Sequence, residues 1–165
     1  MKTFTEGFSR LTSVVTLGVI LLAALFVLPG FFGIHPYIVR SGSMEPVIHT
    51  GAVAFVNHRD RDIRAGDIIT YRLPGPSGRD TLVTHRVVGG QDGVYITRGD
   101  ANQTDDLSLV TDDQVMGTYV CQIPYAGYIM AGMNRKTGVV AAVWILLING
   151  VSLAMNWAVT DPSRS

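Results

Sequence analysis

The stretch Thr81-Leu82-Val83-Thr84-His85-Arg86-Val87-Val88, followed by Gly89-Gly90-Gln91-Asp92-Gly93 and Val94-Tyr95-Ile96-Thr97-Arg98, reads as a hairpin. Residues that favour strands fill both arms, and turn residues separate them. The same pattern continues on either side. Tyr37–Arg40, Ala52–Asn57, Asp67–Leu73 and Gln114–Cys121 are further strand candidates, broken at Gly51, Ala65-Gly66 and Pro74-Gly75-Pro76-Ser77-Gly78. No apolar period of 3.6 is sustained between Tyr37 and Cys121. The expectation is a mainly β protein, with a compact antiparallel β domain over residues 33–137. The Pro/Gly run at Leu73–Gly78 is expected to be an exposed loop.

The ends of the chain are different. Leu11 to Phe32 is 22 residues without a charge, enough to cross a hydrocarbon core of about 30 Å as a helix. Lys2 and Arg10 precede it, so residues 1–10 are expected to stay cytoplasmic and the β domain to be exported. A cleavable signal peptide has an apolar run of about 7–15 residues before small residues. This run is longer and closes in Pro-Gly-Phe-Phe, so an uncleaved anchor is expected. Gly138–Val159 is a second apolar segment long enough to span, a helix lying in the interface being the alternative, and 160–165 is left as a tail. Trp144 and Trp157 would put a ring at each interface, about 20 Å apart along a helix. Asn149, Ser152 and Asn156 would share one face and meet another helix. Arg135 and Lys136 run against the charge rule for this topology, a rule that weakens for long exported loops.

Lys+Arg and Asp+Glu are 13 each, so no nucleic-acid partner is expected. The lone cysteine, Cys121, cannot form an internal disulfide.

Between the anchor and the hairpin lies Arg40-Ser41-Gly42-Ser43-Met44-Glu45-Pro46. An ordinary Ser/Gly/Pro turn is the plain alternative here. Functionally, a serine needs a base within reach and donors for the oxyanion. Ser43 stands eleven residues past Phe32, at most roughly 36 Å of extended chain, so it is tethered near the membrane surface. Lys2 and Lys136 both lie outside the strand region, which argues against a Ser–Lys dyad. The histidines are His35, His49, His58 and His85. His85 alternates with Val83 and Val87 on one strand face, where a partly desolvated imidazole suits a general base. A core histidine bonded to backbone fits that position equally well. His35 and His49 flank the serine stretch, and His58 opens a charged loop that reads as solvated. A base histidine also needs a group to hold its tautomer. Asp100, Asp105 and Asp106 are the candidates, because the hairpin returns the chain towards His85 after Arg98. No H-E-x-x-H or comparable spacing suggests a metal.

In order and spacing, SGSMEP behind a membrane helix, THRVV, and TRGDAN followed by Asp105-Asp106 resemble signal peptidase I, in its endoplasmic-reticulum and archaeal-type branch. The resemblance covers about residues 11–121. It implies a β catalytic domain with an apolar membrane-facing surface and a serine endopeptidase that removes signal peptides from exported preproteins. By that resemblance Ser43 is the nucleophile, His85 the base and Asp106 the supporting acid, with Asp100 also important. Ser41 matches the oxyanion-hole position, assisting the Ser43 N–H. No cofactor or metal is implied. The partners are preprotein signal peptides and membrane lipid, and the catalytic domain lies on the extracytoplasmic or lumenal side. Between the two acids, Asp106 is expected to orient His85, and Asp100, beside Gly99 at a strand end, to hold a turn. Two rivals remain: a sortase-like transpeptidase using Cys121, and a non-catalytic membrane-anchored β module or subunit of a peptidase assembly.

Overall fold

The computed structural model describes residues 2–75, 78, 80–132, 144–145, 147–152, 154 and 157. These divide into two units, Leu28–Gly132 and a second made of Met1–Val27 with residues from 133 onward.

Helix α1 runs Lys2–Phe31. Gly7–Phe31 within it is long and apolar enough to cross a membrane. Leu11, Val14, Leu21, Leu25 and Val27 are all exposed, an arrangement that disfavours water and suits lipid. Of the second apolar segment, Gly138–Val159, only part lies within the described residues; Asn156 and the tail at 160–165 lie outside them. Asn149 and Ser152 are helical. The Asn149 amide donates to Thr16 Oγ1 at 2.7 Å, and Thr12 Oγ1 donates to Ser152 Oγ at 3.2 Å. These polar side chains thus meet α1 of the same chain.

The larger unit is one antiparallel seven-stranded sheet. Its strands are β1 (Ile34–Ile38), β2 (Val53–Asn57), β3 (Ile68–Leu73), β4 (Thr81–Gln91), β5 (Val94–Arg98), β6 (Val110–Thr111) and β7 (Val115–Ile123). They are ordered β1-β2-β7-β3-β4-β5-β6. A short helix, α2 (Ala126–Gly132), follows. The first strand begins three residues earlier than expected, because Pro36, which reads as a breaker, is accommodated on the edge strand β1. Two elements were not expected: β6, only two residues long, and α2.

β4 and β5 form the expected hairpin. Its turn narrows to Asp92-Gly93, both with positive φ (54° and 77°), the pairing that a two-residue turn of matching twist demands. A bulge between Val87 and Gly89 shifts the register there.

One core cluster comprises Ile69, Tyr71, Val87, Val110 and Val115, and a second comprises Met44, Ile48 and Ile68. The second ties the serine stretch to the sheet. Met44 is 2% exposed, and burying such a side chain contributes about 1.5–3 kcal/mol.

Candidate active site

Strand register places the chemistry. On β3 and β4, Ile69 pairs with His85 and Tyr71 with Val83. On β4 and β5, Val87 pairs with Thr97. Directly paired residues and those two apart share a face, so Tyr71, His85 and Thr97 stand together on one side of three adjacent strands. Asp106 joins them from the loop after β5, where its N–H donates to the Thr97 carbonyl at 2.8 Å.

Three groups then converge on one atom, Asp106 Oδ2. His85 Nδ1 lies 2.6 Å from Asp106 Oδ2, Thr97 Oγ1 donates to it at 2.7 Å, and the Tyr71 hydroxyl donates at 3.1 Å. Burial pushes the Asp106 carboxyl up. The bonds from Thr97 and His85, the His85 charge and the Tyr71 bond together outweigh that and hold it below the usual carboxylate range. Burial pushes the Tyr71 phenol up to about 12, helped by the Asp106 charge and opposed by its bond to Thr97. With Nδ1 donating to the carboxylate, His85 presents Nε2 as the nitrogen able to accept a proton.

Ser43 and His85 line one cleft of about 860 Å³, together with Ser41, Met44, Ile48 and Val83. Ser43 Oγ is 3.3 Å from Ser41 Oγ. Among the described contacts it makes no hydrogen bond to His85, a bond that apo sites often form only with substrate present. The Ser43 backbone is held from two sides. Met44 anchors it in the second core cluster, and the Ala101 N–H donates to the Ser43 carbonyl at 2.9 Å. Gly99-Asp100 directly precedes Ala101, and a Cβ on Gly99 would sit 2.5 Å from the Ser43 oxygen.

Asp100 faces a different partner. Its two oxygens take Arg86 Nε and Nη2 at 2.8 and 2.6 Å, while Arg86 Nη1 donates to the Gly66 carbonyl at 2.7 Å. Asp100 raises the Arg86 pKa through that hydrogen bond against a smaller effect of burial, with its charge adding to the rise. The fork ties β4 to the turn behind Ser43. Asp105 makes an exposed contact with Arg98 at 3.4 Å.

The other histidines are engaged elsewhere. His49 Nδ1 lies 2.9 Å from Glu45 Oε2, and Glu45 also accepts the Thr50 N–H at 2.8 Å. His58 accepts or donates through Nε2 to the Tyr37 hydroxyl at 2.9 Å and packs on His35 at a ring separation of 4.5 Å. Burial first, then the charges of His35, Arg61 and Arg72, push the His58 pKa down. The loop after His58 is largely exposed, as expected, and two bonds tie it to the sheet: Arg61 donates to the Val115 carbonyl and Thr118 to Asp60, each at 2.8 Å. Cys121 is exposed on β7 and does not line the cleft. Among the described residues, no group of three or more His, Cys, Asp and Glu could hold a metal ion.

Reading the sequence did not single out Tyr71, Thr97 or Arg86. Thr97 stands in the TRGDAN stretch and Arg86 in THRVV, so both were in view without a role; Tyr71 carried no signal beyond strand preference.

The sequence profile described as signal peptidase, peptidase S26, matches residues 10–101. The signal peptidase complex catalytic subunit SEC11C of Homo sapiens is 36% identical over 110 residues, covering 59% of this chain and 56% of that protein. The signal peptidase complex catalytic subunit SEC11 of Komagataella phaffii is 35% identical over 106 residues, covering 56% of this chain and 62% of that protein. Its counterpart in Candida dubliniensis is 34% identical over 104 residues, with shares of 56% and 61%. The chain thus spans less than two thirds of the length of these curated relatives. Asp106 lies beyond the profile's span, and the geometry sets it beside His85. With more than half of the chain matched, and the SGSMEP and THRVV stretches inside the match, this chain belongs to the signal peptidase, peptidase S26, family.

Proposed function

We propose that this chain is a membrane-bound serine endopeptidase that removes signal peptides from exported preproteins, cutting after small residues. The observation that carries the reading is the 2.6 Å His85–Asp106 contact on the wall of a cleft that also holds Ser43. Ser43 Oγ attacks the scissile carbonyl as His85 Nε2 takes its proton, giving a tetrahedral oxyanion. The Ser43 N–H and the Ser41 hydroxyl serve as donors to that oxygen. Collapse breaks the C–N bond, and His85 returns the proton to the leaving amine. A water that gives its proton to His85 then attacks the acyl-enzyme, and release of the carboxylate product restores the Ser43 hydroxyl. Asp106, held anionic, orients the ring and stabilises the imidazolium. Ile38, Ile48, Ala54 and Val83 give the cleft an apolar wall suited to small side chains.

In this reading α1 spans the membrane with the amino terminus in the cytoplasm, Gly138–Val159 spans back, and the sheet lies on the extracytoplasmic or lumenal side. Labelling of a cysteine placed at Ser165 from outside the cell would refute the return span. The relatives are named as subunits of a signal peptidase complex, so protein partners in the membrane are part of the proposal. The deciding experiment is cleavage of a model preprotein by the purified chain in detergent, beside Ser43→Ala. Cleavage by the parent and none by a folded Ser43→Ala is the expected result; equal cleavage by both refutes the assignment.

A further inference from the structure

We infer that Tyr71 and Thr97 are positioning residues for the reaction: two buried hydroxyls that fix Asp106 as an oriented anion beneath His85. The inference rests on the Ser43–His85–Asp106 reading above and adds two members to it.

A carboxylate on a loop does not hold its direction unaided, because its terminal torsion is broad. Here both extra donors come from inside the sheet. Thr97 is wholly buried and Tyr71 is 1% exposed, and each belongs to a strand that pairs with the His85 strand. Their atoms also meet each other, with the Tyr71 hydroxyl 3.1 Å from Thr97 Oγ1. Thr97 gives its one proton to Asp106, and the single Tyr71 proton is shared in a three-centre bond between Thr97 Oγ1 and Asp106 Oδ2. Every donor lands on Oδ2, the oxygen that faces His85 Nδ1. The other requirement of such a relay is electrostatic. Two hydroxyl donors lower the basicity of the carboxylate, so the proton shared with His85 stays on nitrogen as the imidazolium forms. Neither side chain lines the cleft, so neither touches substrate.

A purely structural role predicts something different. Tyr71 belongs to the core cluster with Ile69, Val87, Val110 and Val115, and its ring alone fills that place. Tyr71→Phe keeps the ring, and Thr97→Val keeps the volume. Loss of the hydroxyls then acts on Asp106 while leaving the packing in place.

The test uses the full chain in detergent, with kcat, KM, the pH dependence of kcat/KM and thermal unfolding measured on a model preprotein. Tyr71→Phe and Thr97→Val are each expected to lower kcat roughly tenfold, and the pair roughly a hundredfold, at unchanged KM. Thr97→Ser, which restores a hydroxyl, returns kcat to near the parent value. The acid limb of the profile, which reports the His85–Asp106 pair as a unit, moves to higher pH in the double variant. A carboxylate stripped of two donors stabilises the neighbouring cation more strongly. Should Thr97→Val fail to fold, Tyr71→Phe carries the comparison by itself, and its kcat within about twofold of the parent with an unmoved acid limb overturns the inference. A double variant with kcat within about twofold of the parent and an unmoved acid limb overturns the inference. Asp106→Asn, run alongside, separates the failures. If it is inactive while the double variant is normal, only the positioning role falls. If it is active, the reading of Asp106 falls with it.

Discussion

Replacing Gly99 by alanine places a methyl carbon 2.5 Å from the Ser43 carbonyl oxygen and 2.8 Å from the Asn102 amide nitrogen. The amide can swing away; the carbonyl cannot without moving the chain that carries Ser43. Ordinary contact begins at 3.4 Å, so the carbonyl must retreat by 3.4 − 2.5 = 0.9 Å. Overpacking of this kind costs about 1–3 kcal/mol of stability. A displacement near 1 Å of a reacting group costs on the order of a hundredfold in rate. The Ala101 N–H, which bonds that same carbonyl at 2.9 Å, would be strained by the same movement. The assay is single-turnover cleavage of a model preprotein with thermal unfolding. Gly89→Ala is the control, because its added carbon would reach only Ile96 Cδ1 at 4.0 Å. Gly99→Ala is expected to lower both rate and melting temperature, and Gly89→Ala to lower the rate by no more than about twofold. A Gly99→Ala chain with the parent's rate and stability would refute the claim that this turn sets the position of Ser43.

Asp106→Asn is expected to cost about four orders of magnitude in kcat with the fold retained, since an amide no longer selects the right His85 tautomer. Asp100→Asn instead loses its fork with Arg86, whose side chain is 32% exposed; a discounted about 1–2 kcal/mol of stability and less than about tenfold in rate should follow. Thermal unfolding and single-turnover cleavage of both variants check this, and an inactive, well-folded Asp100→Asn beside an active Asp106→Asn would reverse the roles. Acid sensitivity supplies another check. The Asp106 carboxyl is held below its ordinary value of 3.8 in the folded chain, so its contribution to stability is present above about pH 4 and is lost as the pH falls through the lower, folded value. The melting temperature of the parent should therefore drop more steeply than that of Asp106→Asn below about pH 4; parallel curves would contradict it.

The hairpin was legible because alternation and the turn residues are local, and so was the face on which His85 sits. The placement of Asp106 beside His85 came from the resemblance rather than from spacing, since a loop carboxylate carries no periodic signal. The role of Asp100 was half visible. Its place at a strand end was visible, but its partner was not: both oxygens take Arg86 across the sheet. That pairing depends on the bulge at Val87/Gly89, which composition does not announce. Tyr71 was out of reach for a larger reason. Its strand lies between β7 and β4, an order in which chain sequence and spatial sequence part company, so only the register shows that a tyrosine fourteen residues before His85 shares its face.

The segments bearing Ser43 and Asp106 are fastened by amide and carbonyl groups: Ala101 to Ser43, Asp106 to Thr97, and Gly99 close against the serine carbonyl. Such fastenings have no rotamers to populate. In the proposed reading the spacing of Ser43 and Asp106 is set by these backbone fastenings together with the side chains of Met44, Thr97 and Tyr71. A chain stripped of the Ser43 hydroxyl would keep the mould in which a substrate is held, and would act as a trap that grips its peptide without cutting it.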